Sequence, residues 1–165
     1  MQLSTLIGAS FVTVASALNS SYPPINLGYY SFPHGNIFVA WSPFTPTKTS
    51  ELLEVCDTTG AVKGTGTWTG IRTQSTYTYD PICRKPFNYT DASTGEKYYN
   101  VEAACEDDNI DIGLRPVVTA IVDVASNTTV QTCVPVVASG ELEKNWVSCS
   151  ACCATGLEWS FACSA

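Results

Sequence analysis

Eight cysteines constrain the fold of this chain more than any other feature of its sequence. They are Cys56, Cys83, Cys105, Cys133, Cys149, Cys152, Cys153 and Cys163. An even number of cysteines, all placed after an apolar N-terminal segment, favours four disulfide bonds formed in an oxidising compartment. Half of them crowd into residues 149–163, the cysteine-rich tail. Because neighbouring cysteines bond to each other only with strain, we expect at least two bonds from this tail to the rest of the chain.

The N-terminal segment predicts that the protein is secreted and extracellular. Residues 1–17 read MQLSTLIGASFVTVASA and end in Ala15-Ser16-Ala17. A signal peptidase requires small side chains at the last and third-last positions before the cut, and both are alanine here. A membrane anchor needs ~20 apolar residues, whereas this run is shorter and is broken by serines and threonines. Cleavage after Ala17 removes 17 of the 165 residues and leaves a mature domain of 148, residues 18–165.

Three sequons agree with secretion. Asn19, Asn88 and Asn127 are each followed two residues later by a serine or threonine. That hydroxyl is what the glycosyl transferase needs, so the three asparagines are predicted glycosylation sites.

The charge balance excludes some classes of partner. The chain has a formal net charge of −7, with 8 Lys and Arg residues against 15 acids. Nucleic acids and anionic membranes both require a cationic surface, and no Lys/Arg cluster supplies one. We therefore expect no nucleic-acid partner, no membrane insertion, and a monomer kept in solution by its negative surface.

The mature region predicts an all-β fold. Short runs rich in aromatic and β-branched residues alternate with Gly, Pro, Asn and Asp, the pattern of a single antiparallel β-sandwich or barrel domain stapled by disulfides. Hairpins are predicted for 27–32 with 37–41 and for 117–124 with 130–137, with 117–124 a central strand. Further strands are expected at 98–105, 145–148 and 157–161 and within 64–79. Residues 18–26 are expected to form an exposed arm, 51–56 is an apolar run of undecided type, and almost no helix should follow residue 17.

No motif predicts catalysis, so we expect no catalytic residues and no cofactor. His34 is the single histidine and excludes metal sites that need two, while a Ser-His-Asp triad lacks the GxSxG signature. Cys149 and Cys152 have the spacing of a redox motif or of half a zinc site. Because no second pair with that spacing exists, a structural disulfide role is favoured.

The acidic segment 102–111 has two further interpretations. Asp107, Asn109 and Asp111 mimic the first, third and fifth ligands of a calcium loop, but Ile112 and Val118 replace its essential Gly and Glu. We therefore predict no metal and a solvated loop. A glycosidase needs two carboxylates across a cleft, and five acids could supply such a pair: Glu102, Glu106, Asp107, Asp108 and Asp111.

The aromatic residues offer a second route to sugars. Trp41, Trp68, Trp146 and Trp159 accompany eight tyrosines. Core packing is the first expectation, because a small β-domain needs large side chains in its interior. Two exposed aromatic rings in one groove, with carboxylates between them, would instead favour sugar binding.

Taken together, these features resemble the small secreted cysteine-rich proteins of filamentous fungi, many of which are effectors or elicitors. Hydrophobins also have eight cysteines but two adjacent pairs, whereas only Cys152-Cys153 is adjacent here, and the GHRHDWE-like heptapeptide of necrosis-inducing proteins is absent. The fungal major-allergen β-barrel family is similar in size, secretion and expected all-β character. The resemblance implies a non-enzymatic effector acting in the extracellular space on a host protein or cell-wall polysaccharide. The alternative is an extracellular polysaccharide-binding protein or weak glycoside hydrolase.

Overall fold

The fold is a curled, mostly antiparallel sheet of half-barrel shape, which confirms the predicted all-β class. The computed structural model describes residues 23–33, 35–42, 44–56, 67–71, 82–90, 97–111, 113–149 and 155–165. The strands are β1 (Ile25–Phe32), β2 (Gly35–Ser42), β3 (Thr67–Ile71), β4 (Phe87–Thr90), β5 (Lys97–Cys105), β6 (Val118–Asp123), β7 (Thr128–Pro135), β8 (Trp146–Ser148) and β9 (Gly156–Ser164). Within these described ranges one helix is present, α1 (Thr49–Val55).

Strand β9 lies in the middle of the sheet. The order is β3-β2-β1-β9-β7-β6-β5-β4, with β8 also paired to β9. One edge of β9 pairs with β1, and its other edge pairs with β8 and then with β7. Strand β9 therefore joins the half formed by β1–β3 to the half formed by β4–β7. The curl brings Cα atoms of the end strands β3 and β4 within 8 Å of each other.

Both predicted hairpins are present. Strands β1 and β2 pair antiparallel from Asn26↔Trp41 to Phe32↔Gly35. Strands β6 and β7 pair from Asp123↔Thr128 inward, and β6 has neighbours on both edges, as its apolar sequence predicted. Asn127 turns this hairpin at φ 52°, a left-handed conformation that asparagine adopts more readily than most residues.

Two expectations are settled differently by the structure. The undecided run 51–56 belongs to helix α1, which buries Leu52 and Val55 because residues three apart share one face. The prediction of an exposed arm over residues 18–26 is wrong for its last two residues, because Ile25 and Asn26 are fully buried in β1. The rest of the arm, residues 18–22, and most of 64–79 lie outside the described residues.

Two hydrophobic cores cover opposite faces of the sheet. The barrel core takes residues from strands at both ends of the sheet, so it lies inside the curl; its members include Leu27, Phe38, Phe87, Ile121 and Phe161. The helix core packs α1 and the segment before β8 against β1, β2 and β9; its members include Trp41, Leu52, Val55, Leu157 and Trp159. Strand β2 serves both, because alternate residues of a strand point to opposite faces.

A bulge at Ser160 lets β9 serve both cores as well. Leu157 and Trp159 belong to the helix core, whereas Phe161 belongs to the barrel core. Strict alternation would place all three on one face. The register with β1 passes from Trp159 to Phe161 and leaves Ser160 without a partner residue. An extra residue of this kind reverses the alternation beyond it.

Three disulfides staple the sheet. Cys56 bonds Cys149, Cys83 bonds Cys105 and Cys133 bonds Cys163. The first and third join the cysteine-rich tail to the body, as the spacing predicted. Cys133 and Cys163 are register partners on β7 and β9, and Cys56–Cys149 ties the end of α1 to the segment after β8. Cys152 and Cys153 lie outside the described residues, so a fourth bond stays a prediction.

Candidate functional site

An ion-pair network holds part of the acidic segment. Arg84 donates from Nη1 to Oε1 of Glu102 at 2.8 Å and from Nε to Oδ2 of Asp108 at 2.7 Å. The backbone N–H of Cys105 also donates to Oδ1 of Asp108 at 2.8 Å. This backbone bond, with the bond from Arg84, lowers the pKa of Asp108. Two of the five candidate glycosidase acids thus bind one arginine beside the Cys83–Cys105 bond.

The disulfide in this region removes the one cluster of possible metal ligands found among the described residues. Asp107 accepts a hydrogen bond from the N–H of Asn109 at 2.9 Å, which closes a local turn. Ligand atoms of Cys83, Cys105 and Asp108 lie within 4.8 Å of one another. The two sulfurs are bonded to each other, however, and a metal binds the thiolate form of cysteine. Ile112 lies outside the described residues.

The remaining sequence candidates occupy separate places. Cys149 is bonded to Cys56, so it does not form a redox pair or half a zinc site with Cys152. Asn127 is exposed in the β6–β7 turn, and Asn88 is exposed on β4, where its Oδ1 accepts the N–H of Asn100 at 2.9 Å. Asn19 and His34 lie outside the described residues.

Of the three tryptophans whose side chains the structure describes, two lie in the core and one on the surface; the side chain of Trp68 is outside the described part. Trp41 and Trp159 are buried in the helix core, their rings 6.3 Å apart. Each indole N–H donates to a backbone carbonyl, that of Phe44 or that of Phe161. Core packing is therefore confirmed for this pair. Trp146 is different, because 50% of its surface is exposed.

The exposed large apolar side chains of the described ranges fall into two groups. The first contains Leu114, Val117, Val134 and Val137, and the second contains Leu53 and Trp146. Val117 of the first group lines one concave site, and both members of the second group line another. Exposed apolar side chains gathered around a concavity mark binding surfaces more often than scattered ones do.

The first site, the Arg115 pocket, has a volume of about 250 Å³ and opens beside β1, β7 and β9. Tyr29 and Phe161 contribute aromatic rings to its lining, and Val117 is one of its aliphatic residues. Arg115 forms an ion pair with Glu158 and lies with its guanidinium carbon 5.3 Å from the centre of the Tyr29 ring. The pocket therefore combines an apolar lining with one fixed cation–anion pair.

The second site, the Trp146 groove, has a volume of about 290 Å³ and lies between α1 and β8. Leu53 and Trp146 supply its large apolar side chains, and the other lining residues are Thr49, Ser50, Lys144, Val147 and Ser148. The Thr49 hydroxyl accepts the N–H of Lys144 at 3.2 Å and so joins the helix to the segment before β8. A Cβ at Gly156 would lie 2.7 Å from Nε1 of Trp146, so the indole keeps this position only over a glycine.

Neither site was predicted from the sequence. Arg115 and Glu158 are 43 residues apart, and no local pattern relates them. The available signal was Leu114-Arg115-Pro116-Val117, where a lone arginine interrupts an apolar run.

The chain matches no protein-family model, no curated protein and no solved structure. Among the described residues, no helix has the length and apolar character needed to cross a bilayer.

Proposed function

We propose that this chain is a secreted, non-enzymatic effector or elicitor that binds a host protein through the Arg115 pocket. The observation that carries the proposal is the exposed Val117 in the lining of a pocket that also contains the Arg115–Glu158 ion pair. Protein interfaces combine an apolar centre with arginine and aromatic anchors. Arg115 has the chemistry of such an anchor.

The frame beneath the pocket supports a binding role. Strand β9 lies between β1 and β7 in the middle of the sheet. The Cys133–Cys163 bond joins β7 to β9 next to Pro135 and Phe161, which line the pocket. A surface held in one shape loses little conformational entropy when it binds a partner. Disulfides of this kind are typical of extracellular proteins and agree with the predicted signal peptide and sequons.

The weak-hydrolase alternative receives less support from the geometry. Glu102 and Asp108 are both held by Arg84, and Trp41 and Trp159 are buried. The other form of the alternative, a polysaccharide-binding protein, is supported by the exposed Trp146.

Leaf infiltration with purified protein tests the proposal, with ion leakage and the oxidative burst as readouts. Wild type should elicit a response, and Val117→Asp and Arg115→Ala should lose it. The matched control is Leu53→Asp, because Leu53 and Val117 are similarly exposed but border different sites; it should keep the response. Melting temperatures verify that each variant folds.

Two outcomes would contradict the proposal. One is a leaf that does not respond to the folded wild type. The other is release of reducing sugar from wall polysaccharide that Glu102→Gln or Glu106→Gln abolishes, since that would make the protein a hydrolase.

A further inference from the structure

We infer that the Trp146 groove binds a pyranose ring of an extracellular polysaccharide. This inference deepens the polysaccharide-binding alternative by naming its surface and its ligand, and it does not depend on the Arg115 pocket. It starts from the energetic cost of Trp146. Leaving half of a tryptophan in water forfeits much of the stabilisation that burial of so large a side chain provides.

The position of the indole is fixed by its surroundings. Nε1, Cε2 and Cζ2 of Trp146 all lie within 2.9 Å of the point where a Cβ of Gly156 would be. The next residue, Val147, is buried in the helix core, and Asn145 donates from Nδ2 to the carbonyl of Trp159 at 3.2 Å. The ring is thus held between two anchored neighbours; half of its surface is exposed, and it lines the groove.

The lining of the groove matches the chemistry of a sugar ring. A pyranose presents C–H groups on its faces and hydroxyls around its edge. The π face of an indole carries negative partial charge and favours C–H groups, while Leu53 adds an apolar wall. Ser50 and Ser148 offer hydroxyls at the edge, and Lys144 offers an ammonium donor.

Size favours this occupant over a peptide. A volume of about 290 Å³ lies at the lower end of the range for small-ligand sites and suits one or two sugar rings. Lys144 is the only charged residue among the described residues of the lining. The groove can therefore take a neutral sugar, and the Lys144 ammonium can donate to a sugar hydroxyl.

Trp146 also has a structural role to separate from binding. An aromatic side chain that packs over a glycine of the neighbouring strand shields the backbone of that glycine from water. If that were its whole role, Trp146→Ala would lower stability, and no sugar would bind to the wild type.

Calorimetric titration with cellohexaose, laminarihexaose and chitohexaose tests the inference. We expect at least one of them to bind the wild type, and Trp146→Ala to weaken that binding about tenfold or more. Trp146→Phe should retain part of it. Leu53→Lys is the second variant, because it changes the opposite wall without touching Gly156 and should weaken binding with an unchanged melting temperature. Val137→Ala, at an exposed residue outside the lining of the groove, is the control that should bind like the wild type.

Each result decides the matter. Absence of heat with all three sugars up to about 10 mM overturns the inference, and so does binding that survives both Trp146→Ala and Leu53→Lys. If Trp146→Ala fails to fold, Leu53→Lys alone decides. Because the leaf assay depends on Val117 and Arg115, failure of that proposal leaves the sugar result unaffected, and the reverse holds as well.

Discussion

Substitution of Gly28 by alanine tests how closely β1 approaches β9. A Cβ at Gly28 would lie 2.0 Å from the carbonyl oxygen of Glu158, 3.0 Å from its carbonyl carbon and 3.3 Å from Cα of Trp159. Ordinary van der Waals contact begins at 3.4 Å. All three neighbours are backbone atoms, so no side chain can rotate away. The two strands would have to separate by more than about 1 Å.

The size of the effect follows from what that separation disturbs. The clash falls where the register between β1 and β9 shifts, between Leu27 and Gly28, with the barrel core on one face and the helix core on the other. Overpacking costs about 1–3 kcal/mol and occasionally more, and loss of ladder hydrogen bonds adds about 1 kcal/mol. We expect a loss of about 2–4 kcal/mol, and thus a melting temperature lower by about 10 °C for a domain of this size.

Thermal and urea denaturation followed by circular dichroism measure the change. The matched control is Gly140→Ala, because Gly140 has φ +59° but nothing within 4 Å of its Cβ position. It should lose only the about 1–2 kcal/mol that a left-handed conformation costs an L-residue. A Gly28→Ala protein within about 1 kcal/mol of wild type, or more stable than Gly140→Ala, would refute the close approach.

The remaining predictions concern the staples, the charges and the sequons. Replacing Cys56 and Cys149 together by alanine opens a loop with a sequence separation of 93 and should cost about 4–5 kcal/mol in urea unfolding; an unchanged midpoint would contradict the pairing. The lowered pKa of Asp108 stabilises the fold above the ordinary carboxyl range, and this stabilisation is lost as pH falls through the lowered pKa. Asp108→Asn should therefore lose less stability than wild type on acidification from about pH 5 to 2, and equal acid sensitivity would contradict this. Thr129→Ala should reduce the mass of secreted protein by one glycan without changing its melting temperature, because Asn127 keeps its turn conformation; an unchanged mass would mean that this sequon is not used.

The hairpins could be predicted because their signals are local. In each of β1 and β2 five of the eight residues are aromatic, β-branched or aliphatic, and a Pro-His-Gly-Asn turn sequence lies between their apolar runs. Strands β6 and β7 are also rich in β-branched residues, and Asn127 lies in the turn between them. Such patterns specify pairing between neighbours in sequence, which needs no knowledge of the rest of the fold.

Features set by distant contacts could not be predicted. The bulge at Ser160 exists because β9 must supply two cores, and nothing in Gly156–Ser164 itself marks that residue. The Arg115–Glu158 pair joins segments that meet only in the folded sheet. Trp146 is exposed, whereas Trp41 and Trp159 are buried. The position of Trp146 depends on its contact with Gly156 of the neighbouring strand, and this contact exists only in the folded sheet.

The central position of β9 determines when this protein can fold as it is synthesised. The β1–β2 hairpin emerges early, yet its partner strand ends at Ser164 and leaves the ribosome on the order of 10 s later. Until then β1 presents an unpaired edge, and Cys133 has no Cys163 to bond. Cys83 and Cys105, with a sequence separation of 22, can bond well before that. The nascent chain can therefore close one short covalent loop while the two halves of its sheet are still unjoined, and both edges stay open to pairing with other chains until β9 is made.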